Sequence, residues 1–189
     1  MQKVFITDMD DVLVNLLETW LQFLNNMYHY DVKVEDVVDW DMQLAYPELD
    51  PDNIYGILRE EALWKNVKPK YDAIYYLKKI QELGYKIYVA TASSHNTIQT
   101  KLINALFPYF EFLNRDNIIM IHDKSLLNGD IIVDDYHENL RNAKGVRILM
   151  DAPYNQNIDK SLFDYRVHDW ETIYQIAYDE MVVTRDEQN

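Results

Sequence analysis

The sequence predicts an α/β protein: a Rossmann-like parallel sheet with helices on both faces and a small helical cap inserted after the first strand. Three observations carry this prediction. Short apolar runs rich in β-formers recur along the chain, segments with apolar residues at helical spacing lie between them, and residues 14–68 break the alternation. The strand runs are KVFIT at 3–7, KIYVATAS at 86–93, NIIMI at 117–121, DIIVDD at 130–135 and VRILM at 146–150. Each is too short for a buried helix and suits a strand covered on both faces.

Between the runs, residues 71–83 place Ile74, Leu77 and Ile80 on one helical face and stop at Gly84, while residues 96–106 repeat the pattern with Ile98, Leu102 and Ala105 before Pro108. The tail resumes helical spacing from Asp169 through Trp170, Ile173, Ile176 and Ala177, and the terminal TRDEQN is too polar to be held strongly. Residues 14–68 offer an apolar helix over 14–28, an acidic, Trp-containing middle, and a second helix over 54–64 with an early-turn signal at Pro51. The expected division is therefore a core of residues 1–13 and 69–189 with a cap of residues 14–68.

Composition removes whole classes of function. The 189 residues are 48% hydrophobic with 4 Gly and 5 Pro, which excludes collagen-like and disordered chains. Zero Cys excludes disulfide frameworks, thiolate nucleophiles and Cys-ligated metals. No run is long and apolar enough for a signal h-region or a membrane span, so a cytoplasmic protein without a membrane partner is expected. The net charge of −14 repels the phosphate backbone and argues against a nucleic-acid polymer as partner. His29, His95, His137 and His168 lack the mutual spacing of a metal cluster.

Candidate chemistry sits where strand runs end. Asp8 and Asp10 are two apart, so period-two geometry sends both side chains the same way, and a bound Mg²⁺ would compensate them. A solvated acidic turn is the plain alternative for one such pair. Asp134 and Asp135 form a second pair at the end of another run, and the two pairs converge if their strands are neighbours. Lys124, just beyond NIIMI, would neutralise Asp8 and hold a phosphoryl group. Thr91 closes its strand and offers a hydroxyl, with the backbone N–H groups around Ala92 and Ser93 adding an anion nest; a plain strand-end hydroxyl is the alternative.

FITDMDDVL, VATAS, HDKSLL and IIVDDYHEN, in this order, resemble the four motifs of the haloacid dehalogenase-like phosphohydrolase superfamily. Within it the chain looks most like the small 5′(3′)-deoxyribonucleotidases; the inserted cap, RILMDAPYNQ and the closing VHDWETI carry the narrower resemblance. It implies a phosphatase of (deoxy)ribonucleoside monophosphates, with a small phosphate monoester as partner and Mg²⁺ as cofactor. Asp8 would be the nucleophile, forming an aspartyl-phosphate, and Asp10 the general acid and base. Asp8, the Asp10 backbone carbonyl and Asp135 would hold Mg²⁺, with Asp134 assisting through water and Lys; Thr91, Ala92 and Lys124 would grip the phosphate. Leu16, Trp40, Tyr46 and Trp64 are the cap candidates for the nucleobase, and each is also a candidate for cap core, where aromatics are usually buried as packing. An aromatic-rich cap also suits a homodimer contact. Four positions depart from the family pattern: Asp11 replaces a common Gly, Ala92 a common Ser and Tyr136 a common Arg, and His122 stands where another basic residue is common. A phosphatase of another small metabolite and a non-catalytic nucleotide-binding relative are the alternative readings.

Overall fold

A computed structural model describes residues 2–186. The strands are β1 (Val4–Thr7), β2 (Lys86–Thr91), β3 (Ile118–Met120), β4 (Ile131–Asp134), β5 (Val146–Met150) and β6 (Tyr165–Val167). They form one sheet in the order β3-β2-β1-β4-β5-β6, parallel at every pairing. Alternation explains their two buried faces. Phe5, Val89, Ile131, Val133 and Ile148 enter a large core, while Ile6, Ala90, Ile132 and Leu149 face a smaller one.

The helices are α1 (Leu16–Tyr28), α2 (Pro51–Gly56), α3 (Glu61–Asn66), α4 (Ala73–Glu82), α5 (Ile98–Lys101) and α6 (Trp170–Asp186). Residues of α4 and α6 pack on the large-core face, with Leu77, Ile80, Trp170 and Ile173 buried there. The smaller face is covered by Leu127, Leu140, Ala143 and Phe163, beside short 3₁₀ turns at Lys124–Leu126 and His137–Asn139. Helical segments thus flank both faces. α4 stops before Gly84, whose φ of 108° is open to glycine and strained for other residues.

α1 buries Leu17, Trp20, Leu21 and Leu24 at three- and four-residue spacing and ends at His29, in left-handed backbone. The expected helix over 54–64 is two helices. Glu60 is extended between α2 and α3, and two indoles occupy carbonyls around the break: Trp20 Nε1 donates to Ile54 O at 2.9 Å and Trp64 Nε1 to Leu58 O at 2.8 Å. Gly56, a poor helix former, adds to the interruption. α5 passes into a π-helical turn at Leu102–Leu106, and α6 runs through Thr184 to Asp186. The rest of the terminal TRDEQN stretch lies outside the described residues. β6 is an unforeseen strand, three residues long with only Val167 fully buried, and so without an apolar run to betray it.

The chain leaves β1 and returns to α4 at one place. Val14 bridges Pro69, Asn15 N–H donates to Lys68 O at 2.8 Å, and Lys70 N–H donates to Leu13 O at 2.8 Å. One buried cluster runs from the sheet face through Trp20, Leu24 and Leu63 of the intervening helices.

Candidate active site

Sheet order decides what meets what. β1 is central, β2 and β3 are added on one side of it and β4 to β6 on the other, which opens a crevice at the carboxyl ends of β1 and β4. The register Thr7↔Val133 places Asp8 beside Asp134, and Asp8 N–H donates to Val133 O at 2.9 Å. Lys124 enters from the turn after β3. Its Nζ lies 2.8 Å from both Asp8 Oδ2 and Asp134 Oδ2.

A second buried cation stands on the other flank. Lys101, at the end of α5, pairs with Asp10 Oδ2, donates to Thr91 Oγ1 at 2.6 Å and lies 5.2 Å from the Trp64 ring centre. It is 1% exposed, so its charge has little recourse to water and depends on these partners. The sequence carried its signal: position 101 falls three after Ile98 and four before Ala105, on the apolar face of the helix.

Oxygens of Asp8, Asp134 and Asp135 lie within 4.8 Å of one another, a carboxylate group that suits a divalent cation. Their hydrogen bonding differs. Both Asp134 oxygens are engaged, Oδ2 by Lys124 and Oδ1 by Tyr136 N–H and Asn139 Nδ2, each at 2.9 Å. Asp135 Oδ2 accepts from the Tyr154 hydroxyl, while its buried Oδ1 has no hydrogen-bond partner. A buried bare carboxylate oxygen is costly unless a cation takes it, so the residues present fit a metal ion.

Asp11 adds a further carboxylate. At φ 51° it occupies backbone that favours glycine, and it accepts Leu17 N–H at 3.0 and 3.2 Å. It thereby satisfies a donor in the first turn of α1, for which Asn15 makes no side-chain cap.

The electrostatics follow from burial. Burial raises Asp10 while Lys101 opposes it and Asp8 adds to it. Burial pushes Asp11 to about 7 despite Lys70, Asp134 to about 6 despite Lys124, and Asp135 well above the usual carboxylate range, with Asp134 reinforcing that last shift. For Lys124, burial pulls down but Asp8 and Asp134 outweigh it, leaving an ammonium harder to deprotonate than usual.

These shifts set a sign for metal-free stability. From about pH 5 to 8 the unfolded chain has released protons that the raised carboxylates still hold when folded, so stability falls as pH rises. Carboxylates with lowered pKa, such as Asp151 and Asp164, exert their effect at lower pH. The expected result in EDTA is a melting temperature that drops by roughly 10 °C across this window. Added Mg²⁺ should restore most at the alkaline end; a melting temperature rising with pH in EDTA would contradict the reading.

Above the carboxylates lies a cavity of about 380 Å³ lined by Asp8, Asp10, Asp11, Lys124, Ala92, His122, Asn139 and a largely apolar wall. Leu16 and Trp40 are on that wall, together with Leu17, Trp20, Tyr55 and Tyr154, which the sequence did not single out. Trp40 stacks on Tyr136 with ring centres 5.5 Å apart and planes at 24°. Tyr46 does not line the cavity: it is fully buried in the large core and its hydroxyl donates to Asn25 Oδ1 at 2.9 Å. Trp64 is also core, lying beneath Lys101 and bordering only a smaller adjoining recess. Thr91 is fully buried behind the wall, its oxygen taken by Lys101, whereas Ala92 reaches the cavity surface.

The family described as "5' nucleotidase, deoxy (Pyrimidine), cytosolic type C protein" matches this chain over residues 2–186. The chain belongs to that family. As a family member it is a 5′(3′)-deoxyribonucleotidase-like phosphomonoesterase. The 5'(3')-deoxyribonucleotidase of Bacillus subtilis is 30% identical over 174 residues, covering 92% of this chain and 97% of the relative. A Clostridium acetobutylicum protein of the same name is 30% identical over 164 residues, covering 86% and 88%. At the level of fold, the chain is similar to a HAD family hydrolase from Deinococcus radiodurans, crystallised with bound phosphate and sodium. The TM-score is 0.63 at 12% identity, with 95% of this chain and 96% of that one covered. Among the described residues, no helix of this family member is long and apolar enough to cross a membrane.

Proposed function

We propose that this chain is a cytoplasmic, Mg²⁺-dependent phosphatase of (deoxy)ribonucleoside monophosphates, acting through an aspartyl-phosphate on Asp8. The observation that carries the proposal is the floor of the cavity. Asp8, held by Lys124, shares a three-carboxylate corner with Asp134 and Asp135 beneath an aromatic wall sized for a small ligand.

Asp8, Asp135 and the Asp10 backbone carbonyl would hold the metal, and Asp134 supports them by fixing Lys124. When bound, Mg²⁺ supplies positive charge that lowers repulsion between the phosphate and its attacking carboxylate. A carboxylate oxygen of Asp8 attacks phosphorus in line; the leaving sugar oxygen takes the proton of Asp10; and Asp10 then removes a proton from the water that hydrolyses the acyl phosphate. Lys124 and the backbone N–H groups at residues 92–93 balance charge on the transferring oxygens. Asp134 already accepts three hydrogen bonds, whereas Asp135 accepts one and keeps Oδ1 bare, which suits Asp135 to the direct metal contact.

A Mg²⁺-supplemented screen across deoxy- and ribonucleoside monophosphates, sugar phosphates and p-nitrophenyl phosphate tests the substrate. Nucleotides such as dUMP and dTMP should be preferred. Trp40→Ala should weaken their kcat/KM by roughly tenfold, the range of one lost base–aromatic stack, with far less effect on p-nitrophenyl phosphate. Turnover confined to non-nucleotide phosphates overturns the nucleotide assignment.

A further inference from the structure

RILMDAPYNQ, at residues 147–156, leaves β5 and turns back beneath Asp135. Its buried Asn155 uses every hydrogen-bonding position of its amide. Nδ2 donates to Asp135 O at 2.8 Å and to Met150 O at 2.9 Å; Oδ1 accepts from Ala152 N at 3.1 Å and from Arg166 Nη1 at 2.8 Å. Arg166 is itself anchored, by Asp151 at 2.6 Å and Asn155 O at 2.7 Å. One residue earlier, Tyr154 sends its hydroxyl to Asp135 Oδ2 and sets its ring against Trp40, with centres 5.1 Å apart.

We propose that Tyr154 and Asn155 are positioning residues that aim Asp135 at the metal. Asn155 fixes the Asp135 backbone, Tyr154 fixes one carboxylate oxygen, and the other oxygen is left bare in the acidic corner. This rests on the reading of Asp135 as a metal ligand. A tyrosine kept only to fill space would need no hydroxyl at this point, since phenylalanine fills nearly the same volume. The hydroxyl is spent on the carboxylate that would bind metal, and the Arg166–Asn155 lattice behind it resists rotation of the turn. Groups that orient a ligand in this way typically contribute about 10–100-fold to metal affinity.

The test is Mg²⁺ binding to the full-length, metal-stripped protein, measured by calorimetry without substrate and paired with thermal melts in EDTA. Tyr154→Phe keeps the ring beside Trp40 and deletes only the hydroxyl; its Mg²⁺ Kd should rise about tenfold or more. A Tyr154→Phe variant that binds Mg²⁺ as tightly as the unaltered protein overturns the inference, whatever its melting temperature. Asn155→Ala should weaken binding further but removes a fully used buried amide, so the Tyr154 variant decides the matter if that protein fails to fold. Asp135→Asn reports separately on the underlying reading: unchanged Mg²⁺ binding there removes the ligand assignment itself.

Discussion

Replacing Asp8 with Asn should lower phosphate release by about 10⁴-fold or more, the scale seen when an enzyme loses the atom that forms its covalent intermediate. The substitution keeps the side chain's shape while removing the nucleophilic oxygen and its charge. The loss should be similar for a nucleotide and for p-nitrophenyl phosphate, because it concerns the phosphoryl group common to both. Rapid acid quenching followed by intact-mass analysis should show a phosphate adduct on the unaltered protein and none on the variant. Lys124 retains Asp134 as a partner at 2.8 Å, so the variant does not strand a buried ammonium and should fold. Turnover surviving in Asp8→Asn would rule out the covalent route while leaving the fold and family intact.

Much of this site is legible in the chain because it hangs on strand ends. The strand runs locate Asp8, Asp10, Asp134 and Asp135, and β1 lying against β4 turns two separate acidic pairs into one corner. That adjacency is a property of sheet order, which spacing does not contain. The aromatics of the inserted segment are less legible because Trp40, Tyr46 and Trp64 are chemically alike; only packing separates the stacked, half-exposed Trp40 from the two that serve as core. Tyr154 was legible only as part of RILMDAPYNQ, and its role was not, since its hydroxyl meets Asp135 across 19 residues with β5 between them. Asp11 stands in left-handed backbone, and its carboxylate takes a role at α1 that no local pattern announces.

Lys101 was not singled out in the sequence, although its charge falls on an apolar helix face, and it supports the second large prediction. Lys101→Met keeps much of the length and apolar packing of the stem over Trp64 but removes the ammonium that joins Asp10 to Thr91. Burial already raises Asp10, and Lys101 is the strongest opposing influence. Without it Asp10 should stay protonated to higher pH, which spares its role as acid in the first half of the proposed cycle and impairs its role as base in the second. Hydrolysis of the acyl phosphate should therefore slow more than its formation. The expected result is a kcat lower by about 10²–10⁴-fold, the usual contribution of general acid–base catalysis, with phosphoenzyme accumulating in quenched samples and the pH optimum displaced upward. Removing a buried cation also leaves Asp10 without its counter-ion, so the variant's melting temperature should fall most at alkaline pH, where that carboxyl must ionise unpaired. An equal slowing of both half-reactions, with no phosphoenzyme build-up, would instead make Lys101 a packing residue whose charge is merely accommodated.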